Sequence, residues 1–164
     1  MNKTPLTSII KTNKDFKEIK DLVDTLNLNM PNLSYEYVSQ LMSNKQYLFA
    51  KEAITSYMQE NGLKLATIRE KRTFLQGITS LLSEMTDVKV TVAIKAEPIC
   101  NSVSNWIKSN IGSLYYVSFT EDPEILGGLI MSYNGMYLDM SVKKKLDNLF
   151  TTDNEYIKRL KESI

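Results

Sequence analysis

The chain has 164 residues, enough for one domain or two small ones, and a hydrophobic fraction of 43%, enough to build a core. Its 20 basic and 19 acidic residues leave a net charge of +1, so no strong overall field attracts nucleic acid or an anionic membrane. Histidine is absent and Cys100 is the single cysteine. This excludes Ser-His and Cys-His catalysis, metal sites built on histidine or on paired cysteines, and an intrachain disulfide.

Membrane and export signals are also missing from the sequence. No apolar run reaches the ~18–20 residues that a membrane-spanning helix needs. The N-terminus lacks the apolar core of a secretory signal, and its mixture of acidic and basic residues is unlike a transit peptide. We therefore expect any membrane association to occur through a partner.

The first half of the chain has the apolar spacing of helices. Residues 1–12 suggest a loose lead-in, and Asn13 can cap the first helix. A second helical region is predicted from 34 to about 60, with an interruption near 43–44, and a third from 63 to about 85. The first half is therefore predicted to be all-α.

The spacing of apolar residues changes from helical to alternating at Asp87. Alternation over 88–94 predicts a half-buried strand, the helical spacing over 99–111 predicts a helix, and alternation over 115–120 predicts a second strand. A last polar helix is predicted over 154–162. The boundary between the two halves is expected near 85–87, with no Gly- or Ser-rich linker.

Three local signals follow one another between Leu126 and Phe150. An apolar run ends at Tyr133, and Asn134-Gly135 follows it, which is a strong hairpin signal because a type I′ turn needs positive φ at both central residues. Residues 136–140 then alternate between apolar and polar. Ser141 can cap a helix whose apolar residues recur at helical spacing. The pattern predicts strand, tight turn, strand and capped helix.

Together these elements predict an α+β fold. Residues 1–86 are expected to form a helical bundle domain. Residues 87–164 are expected to form a small α/β domain with a β-hairpin and C-terminal helices.

Several motifs invite a functional interpretation that a structural one outweighs. Gly127-Gly128 could cradle a phosphate, but no Gly-rich phosphate-binding pattern surrounds the pair, and glycine also permits a bulge or a close backbone approach. The lysines of 143–145, with tyrosines nearby, could bind nucleic acid, yet such a run is more often a solvated helix face.

The carboxylates in this stretch could in principle act as an acid–base pair. No nucleophile, base or metal cluster accompanies them in the sequence. The acidic residues of 121–124 are better explained by a polar turn around Pro123, and Asp139 with Ser141 by the start of a helix. No catalytic residue, cofactor or metal site is predicted.

The surplus of apolar residues in the second half is more informative. The run 126–131 is apolar on both faces, in a half-domain too small to cover both easily. Met131, Met136 and Met140 could supply an adaptable surface for a partner helix, or simply fill the core, and the sequence does not separate the two.

This stretch resembles the C-terminal signature of the delta subunit of F-type ATP synthases, the family of the oligomycin-sensitivity-conferring protein. The resemblance is strongest over residues 88–150. It rests on matches in order and spacing, namely Asp122-Pro123, Ile125-Leu126-Gly127-Gly128-Leu129, Asp139, Ser141-Val142 and Lys145-Leu146.

The resemblance implies a non-catalytic stator subunit that resists torque during proton-driven ATP synthesis. It implies a helical domain that binds the alpha subunits of the catalytic head and a C-terminal domain that binds the b subunits of the peripheral stalk. It also implies a place on the cytoplasmic side of a bacterial plasma membrane, or the equivalent organelle membrane, and no nucleic acid partner. The surface for b is placed on Leu126, Gly127, Gly128, Leu129, Met131, Val142, Leu146 and Leu149.

One departure from the family concerns the helical half. The family has a bundle of about six helices there, whereas three long helical regions, or five segments if two are broken, are predicted here. Binding of alpha is therefore carried over at domain level only. Two alternatives stay open, namely an E-type stalk subunit of a V- or A-type ATPase and a nucleic-acid-binding α/β module.

Overall fold

The computed structural model describes residues 4–43 and 47–150, together with Arg159. The chain forms two compact units, one made of residues 1–87 and 101–117 and the other of residues 88–100 and 118–164. Helices precede a four-stranded sheet, so the predicted α+β class is confirmed. The division into domains 1–86 and 87–164 stays a prediction, and the predicted helix 154–162 lies outside the described residues except for Arg159.

Among the described residues, six α-helices contribute to the first unit: α1 (Thr4–Ile9), α2 (Asn13–Leu28), α3 (Tyr35–Leu41), α4 (Leu48–Glu60), α5 (Ile68–Glu84) and α6 (Cys100–Asn110). The prediction of a loose lead-in was wrong, because α1 forms there and buries Leu6 and Ile10. The cap of α2 is Thr12 rather than Asn13. Its Oγ1 accepts the Asp15 N–H at 3.3 Å, and the Asp15 carboxylate accepts the Thr12 N–H at 2.8 Å.

The predicted breaks in the helical half fall close to where the structure has them. The interruption between α3 and α4 is confirmed, and Gly62 ends α4 with φ +60°. The third region begins at Ile68 instead of 63. Thr67 caps it by accepting the Glu70 N–H at 3.2 Å, and Leu65 before it adopts φ +55°, which a helix does not allow.

The helices enclose one continuous hydrophobic core. It runs along the chain from Leu6 to Met85, and the rings of Tyr57 and Phe74 meet within it at a centroid distance of 6.2 Å. A polar contact also crosses the bundle, because a carboxylate oxygen of Glu18 on α2 accepts the Ala50 N–H in the first turn of α4 at 2.9 Å. That amide has no partner within its own helix, so the contact satisfies a group that packing alone would leave unpaired.

The sheet contains β1 (Thr86–Val92), β2 (Tyr115–Glu121), β3 (Leu129–Tyr133) and β4 (Met136–Asp139), in the order β2-β1-β3-β4. β3 pairs antiparallel with both neighbours, and Met131 lies opposite Val90 on one side and Leu138 on the other. β1 ends at Val92, so the predicted extension to Ile94 was wrong, and that side chain is 60% exposed.

The predicted hairpin and following helix are confirmed. Asn134 and Gly135 join β3 to β4 with φ values of +47° and +76°, both positive as a type I′ turn requires. The chain then enters α7 (Val142–Phe150) after a two-residue connection. The hairpin and α7 belong to the second unit, and they carry most of the residues that were predicted to bind a partner.

Candidate partner-binding surface

A short 3-10 turn at Pro123–Ile125 opens the surface. The Asp122 carboxylate accepts the Glu124 N–H at 2.9 Å, which caps this turn, and Ile125 points into the core with 4% exposure. The next residue, Leu126, adopts φ +62° and is 62% exposed. The side chain of Ile125 is therefore buried, and that of Leu126 is exposed to solvent.

Gly127 and Gly128 lie where the chain passes close to the start of α7. A Cβ on Gly128 would lie 2.3 Å from the carbonyl oxygen of Met140, and one on Gly127 would lie 3.1 Å from Val142 Cγ2. The Gly127 carbonyl accepts the Val142 N–H at 3.0 Å. The close backbone approach expected for glycine is therefore confirmed, since a side chain at Gly128 would collide with backbone.

The start of α7 is fixed by a network of hydrogen bonds. The Asp139 carboxylate accepts the Ser141 N–H at 2.9 Å, and Ser141 Oγ accepts the Lys144 N–H at 3.1 Å. The hydrogen bonds to Ser141 hold the pKa of Asp139 below its ordinary value, and the charge of Lys144 adds to this effect. The predicted role of Asp139 and Ser141 in starting the helix is confirmed, and their geometry is that of a cap.

The predicted surface residues divide by exposure. Leu126, Val142 and Leu149 are 62%, 38% and 53% exposed. Gly128 is also exposed, whereas Gly127, Leu129 and Leu146 are half-buried. Met131 is only 4% exposed, because it lies between β1 and β4 on the covered side of the sheet, and it packs as a core residue. The exposed aliphatic side chains come from the turn and from α7, which pack against each other.

The sequence left open whether the methionines near the hairpin form a surface or fill the core, and the structure exposes β4. Met136, Tyr137 and Leu138 are 53%, 66% and 45% exposed, and Met140 just beyond the strand is 40% exposed. β4 is the last strand in the sheet order, so it is covered less than β3. The alternation of this strand was visible in the sequence, but its place at the edge was not.

The basic run of α7 borders this apolar surface. Lys143, Lys144 and Lys145 are all exposed, as expected for a solvated helix face. Within residues 4–43 and 47–150, no group of three or more carboxylates and thiols could hold a metal ion, and no helix is both long and apolar enough to cross a bilayer. The arrangement suits contact with another protein surface, because it exposes aliphatic side chains beside fixed backbone.

Comparison with known proteins identifies the family of the chain. The profile of the family described as ATP synthase delta (OSCP) subunit matches residues 8–152. The chain belongs to this family. Relatives within the delta family include ATP synthase subunit delta of Rickettsia bellii, 26% identical over 156 residues, with 88% of this chain and 74% of the relative covered. The same subunit of Rickettsia africae is 23% identical, with 89% and 77% covered, and that of Rickettsia canadensis is 30% identical, with 61% and 59% covered.

The predicted resemblance to the delta family is thereby confirmed, and the match extends well upstream of residue 88. The chain is a stator, or peripheral-stalk, subunit of an F-type ATP synthase. The two alternatives, an E-type stalk subunit and a nucleic-acid-binding module, are not favoured. The delta family places the chain in an enzyme complex that is associated with a membrane.

Proposed function

We propose that the chain is the non-catalytic link between the catalytic head and the peripheral stalk of the synthase. In this proposal the helices of residues 1–86 bind the alpha subunits, and residues 87–164 bind the b subunits. The observation that carries the second part is the exposed aliphatic surface of Leu126, Val142 and Leu149 in a member of the delta family.

The mechanism of such a link is mechanical. The head must not rotate with the central shaft, so the link has to hold under torque while catalysing nothing. Interfaces with an apolar centre and a polar rim dissociate slowly, and slow dissociation is what a stator needs. On this surface Leu126, Val142 and Leu149 would form the apolar centre, and the lysines of 143–145 would belong to the rim.

The partners also fix where the chain would lie. A subunit that binds b at the end of the stalk remote from the bilayer is peripheral to the membrane. We propose the cytoplasmic side of a bacterial plasma membrane, or the corresponding side of an organelle inner membrane. Attachment would then depend on b and alpha rather than on lipid.

The test is a binding measurement with purified full-length chain and the soluble segment of a b subunit from the same organism. Wild-type chain should bind, and Leu149→Asp should weaken binding about tenfold or more, because it places a charge in the apolar centre. The matched control is Leu28→Asp, which changes an 85% exposed leucine on α2 and should leave binding unchanged.

Two outcomes contradict the proposal. If wild-type chain binds neither b nor the alpha subunits, the linking role is wrong. If it binds b and Leu149→Asp binds equally well, the b surface lies elsewhere on the chain. Alpha binding is measured separately with assembled heads, and there Leu149→Asp should behave as wild type.

A further inference from the structure

Lys108 on α6 makes an unusual set of hydrogen bonds. Its ammonium donates to three backbone carbonyls, those of Thr7, of Ser113 at 3.2 Å and of Tyr115 at 3.1 Å. Thr7 belongs to α1, whereas Tyr115 begins β2 and Ser113 lies in the turn just before it. One side chain therefore joins two distant segments, and its own bond to Thr7 spans 101 residues of sequence.

We call the three carbonyls of Thr7, Ser113 and Tyr115 the cage of Lys108, and their arrangement suits an ammonium group. A lysine ammonium has three donors and no acceptor, so three carbonyls match it with nothing left over. A methionine of similar length would leave all three carbonyls without this donor. The cage is thus specific for the charged head of Lys108 and not merely for a side chain that fills the space.

Three further contacts join the same two segments of the first unit. The Val117 N–H donates to the Lys11 carbonyl at 3.0 Å, and Thr12 forms a parallel bridge with Val117. The rings of Phe16 and Tyr116 stack with centroids 4.3 Å apart and an interplanar angle of 9°. We call these three contacts, together with the hydrogen bonds of Lys108, the seam. It is formed by Thr7, Lys11, Thr12 and Phe16 on one side and by Lys108, Ser113, Tyr115, Tyr116 and Val117 on the other.

The ammonium of Lys108 is half-buried, and this affects its protonation. The pKa of Lys108 is lowered to about 8, chiefly by burial and also by the charge of Lys11, while the charge of Asp15 acts in the opposite direction. A lowered pKa means that holding the charge costs the folded chain free energy relative to the unfolded chain. Buried charges of this kind can serve to fix geometry, because they tolerate few alternative arrangements.

We propose that Lys108 is the positioning residue of the seam, holding the corner between α1 and α2 in register with the start of β2. This inference rests on the proposed stator function, because a link under torque must keep its own segments in register. The seam residues all belong to the first unit. Apolar packing resists separation but permits sliding, whereas the cage fixes the register.

Hydrogen exchange of the full-length chain, followed by mass spectrometry, tests the seam directly. In Lys108→Met we expect amides in 4–12 and 113–117 to exchange about tenfold faster or more, while amides of α5 keep their wild-type rate. Lys51→Met is the matched control, since Lys51 is exposed on α4 and should change neither region. Unchanged exchange in both seam peptides of Lys108→Met would overturn the proposal.

A measurement on the unmodified chain covers the case in which Lys108→Met fails to fold. Nitrogen-15 NMR of the lysine side chains near pH 6 should show one ammonium signal whose hydrogens exchange at least about tenfold more slowly than those of exposed lysines. If every lysine ammonium exchanges at the same rate, no cage holds Lys108 and the proposal is wrong.

A third experiment separates this inference from the stator function. Synthase assembled with Lys108→Met should bind alpha and b as wild type does but synthesise less ATP per ion translocated. Full coupling with Lys108→Met would overturn the proposal that the seam must stay in register under torque. Failure of wild-type chain to assemble would instead contradict the proposed function itself.

Discussion

The helical part of the first unit and the hairpin with α7 in the second unit contain similar apolar residues but bury them to different extents. In the first unit, leucines, isoleucines and aromatic residues from α1 to α5 meet in one continuous core. In the second, the aliphatic side chains of Leu126, Val142 and Leu149 remain exposed. The comparison teaches that the helical part covers its apolar residues within itself, whereas the hairpin part leaves some of its own exposed, as the proposed binding of a partner requires.

Composition does not create this difference, because both parts are rich in leucine and methionine. What differs is how much of each element is covered. α2 and α5 bury whole helical faces, whereas β4 is an edge strand and α7 buries mainly the side near Leu146. If this comparison is correct, truncating an apolar side chain should affect folding in the first unit and binding in the second.

The largest expected effect comes from the core of the first unit. Phe74→Ala should lower the free energy of unfolding by about 3–5 kcal/mol, because Phe74 is fully buried and contacts Tyr57. Leu149→Ala is the comparison, and should change it by less than about 0.5 kcal/mol. Urea denaturation followed by circular dichroism measures both. Equal losses in the two variants would break the contrast between the units.

Backbone crowding in the second unit should give the next largest effect. Gly128→Ala should destabilise the chain by about 2–4 kcal/mol, because its Cβ would meet the Met140 carbonyl oxygen and its φ of +74° disfavours a side chain. Gly135→Ala is the matched control. It has a similar φ of +76° but open space around the Cβ, so its loss should be about 1 kcal/mol.

The same denaturation experiment distinguishes the two glycine effects. A difference between the variants isolates the collision from the strain of positive φ. If Gly128→Ala and Gly135→Ala lose the same free energy, the approach of Gly128 to the start of α7 contributes nothing. The exposed surface would then lack the fixed backbone on which its proposed binding role depends.

Local signals made the hairpin and α7 predictable from sequence. Asn134-Gly135 and Ser141 each determine the conformation of their own few residues, so no knowledge of distant contacts was required. The α+β class followed for the same reason, since a change of period at Asp87 is visible in the sequence.

Features that depend on distant contacts were not predictable in this way. α1 is too short to be stable alone and forms because Leu6 and Ile10 find a core built by later helices. The three methionines near the hairpin occupy similar apolar positions in the sequence pattern, yet Met131 is buried and Met136 is exposed. Strand order decides between them, and strand order depends on pairing with β1. The Lys108 cage likewise joins positions that no local pattern connects.

A smaller effect is expected at the cap of α7. Ser141→Ala removes the acceptor of the Lys144 N–H and should cost about 1 kcal/mol of unfolding free energy. The pKa of Asp139 should rise towards its ordinary value, because a hydrogen bond from Ser141 is the main cause of its lowering. Lys143→Ala, next to the cap but exposed, should leave both unchanged. NMR titration of Asp139 checks the pKa, and an unchanged value in Ser141→Ala would contradict the network.

The smallest effect is a pH dependence of the unfolding free energy, which arises from the charge of Lys108 in the first unit. The pKa of Lys108 is about 8 in the folded chain against an ordinary 10.5. Between these values the unfolded chain binds more protons, so stability should rise with pH. The cost of the buried charge is complete below pH 8 and disappears above 10.5. Because the amine is partly exposed, we expect only about 0.5–1 kcal/mol between pH 7.5 and 9.5.

Tyrosines act in the opposite direction and set the upper limit of this measurement. Burial raises the pKa of Tyr57 and Tyr116 above 10, so ionisation of tyrosine in the unfolded chain would lower stability at higher pH. The quantity to measure is therefore the gain from pH 7.5 to 9.5 in wild type minus that in Lys108→Met, by urea denaturation. Lys108→Met should lose the gain. An equal gain in both would mean that Lys108 carries its charge at no cost, and its cage would then be a stabilising contact like those of the core.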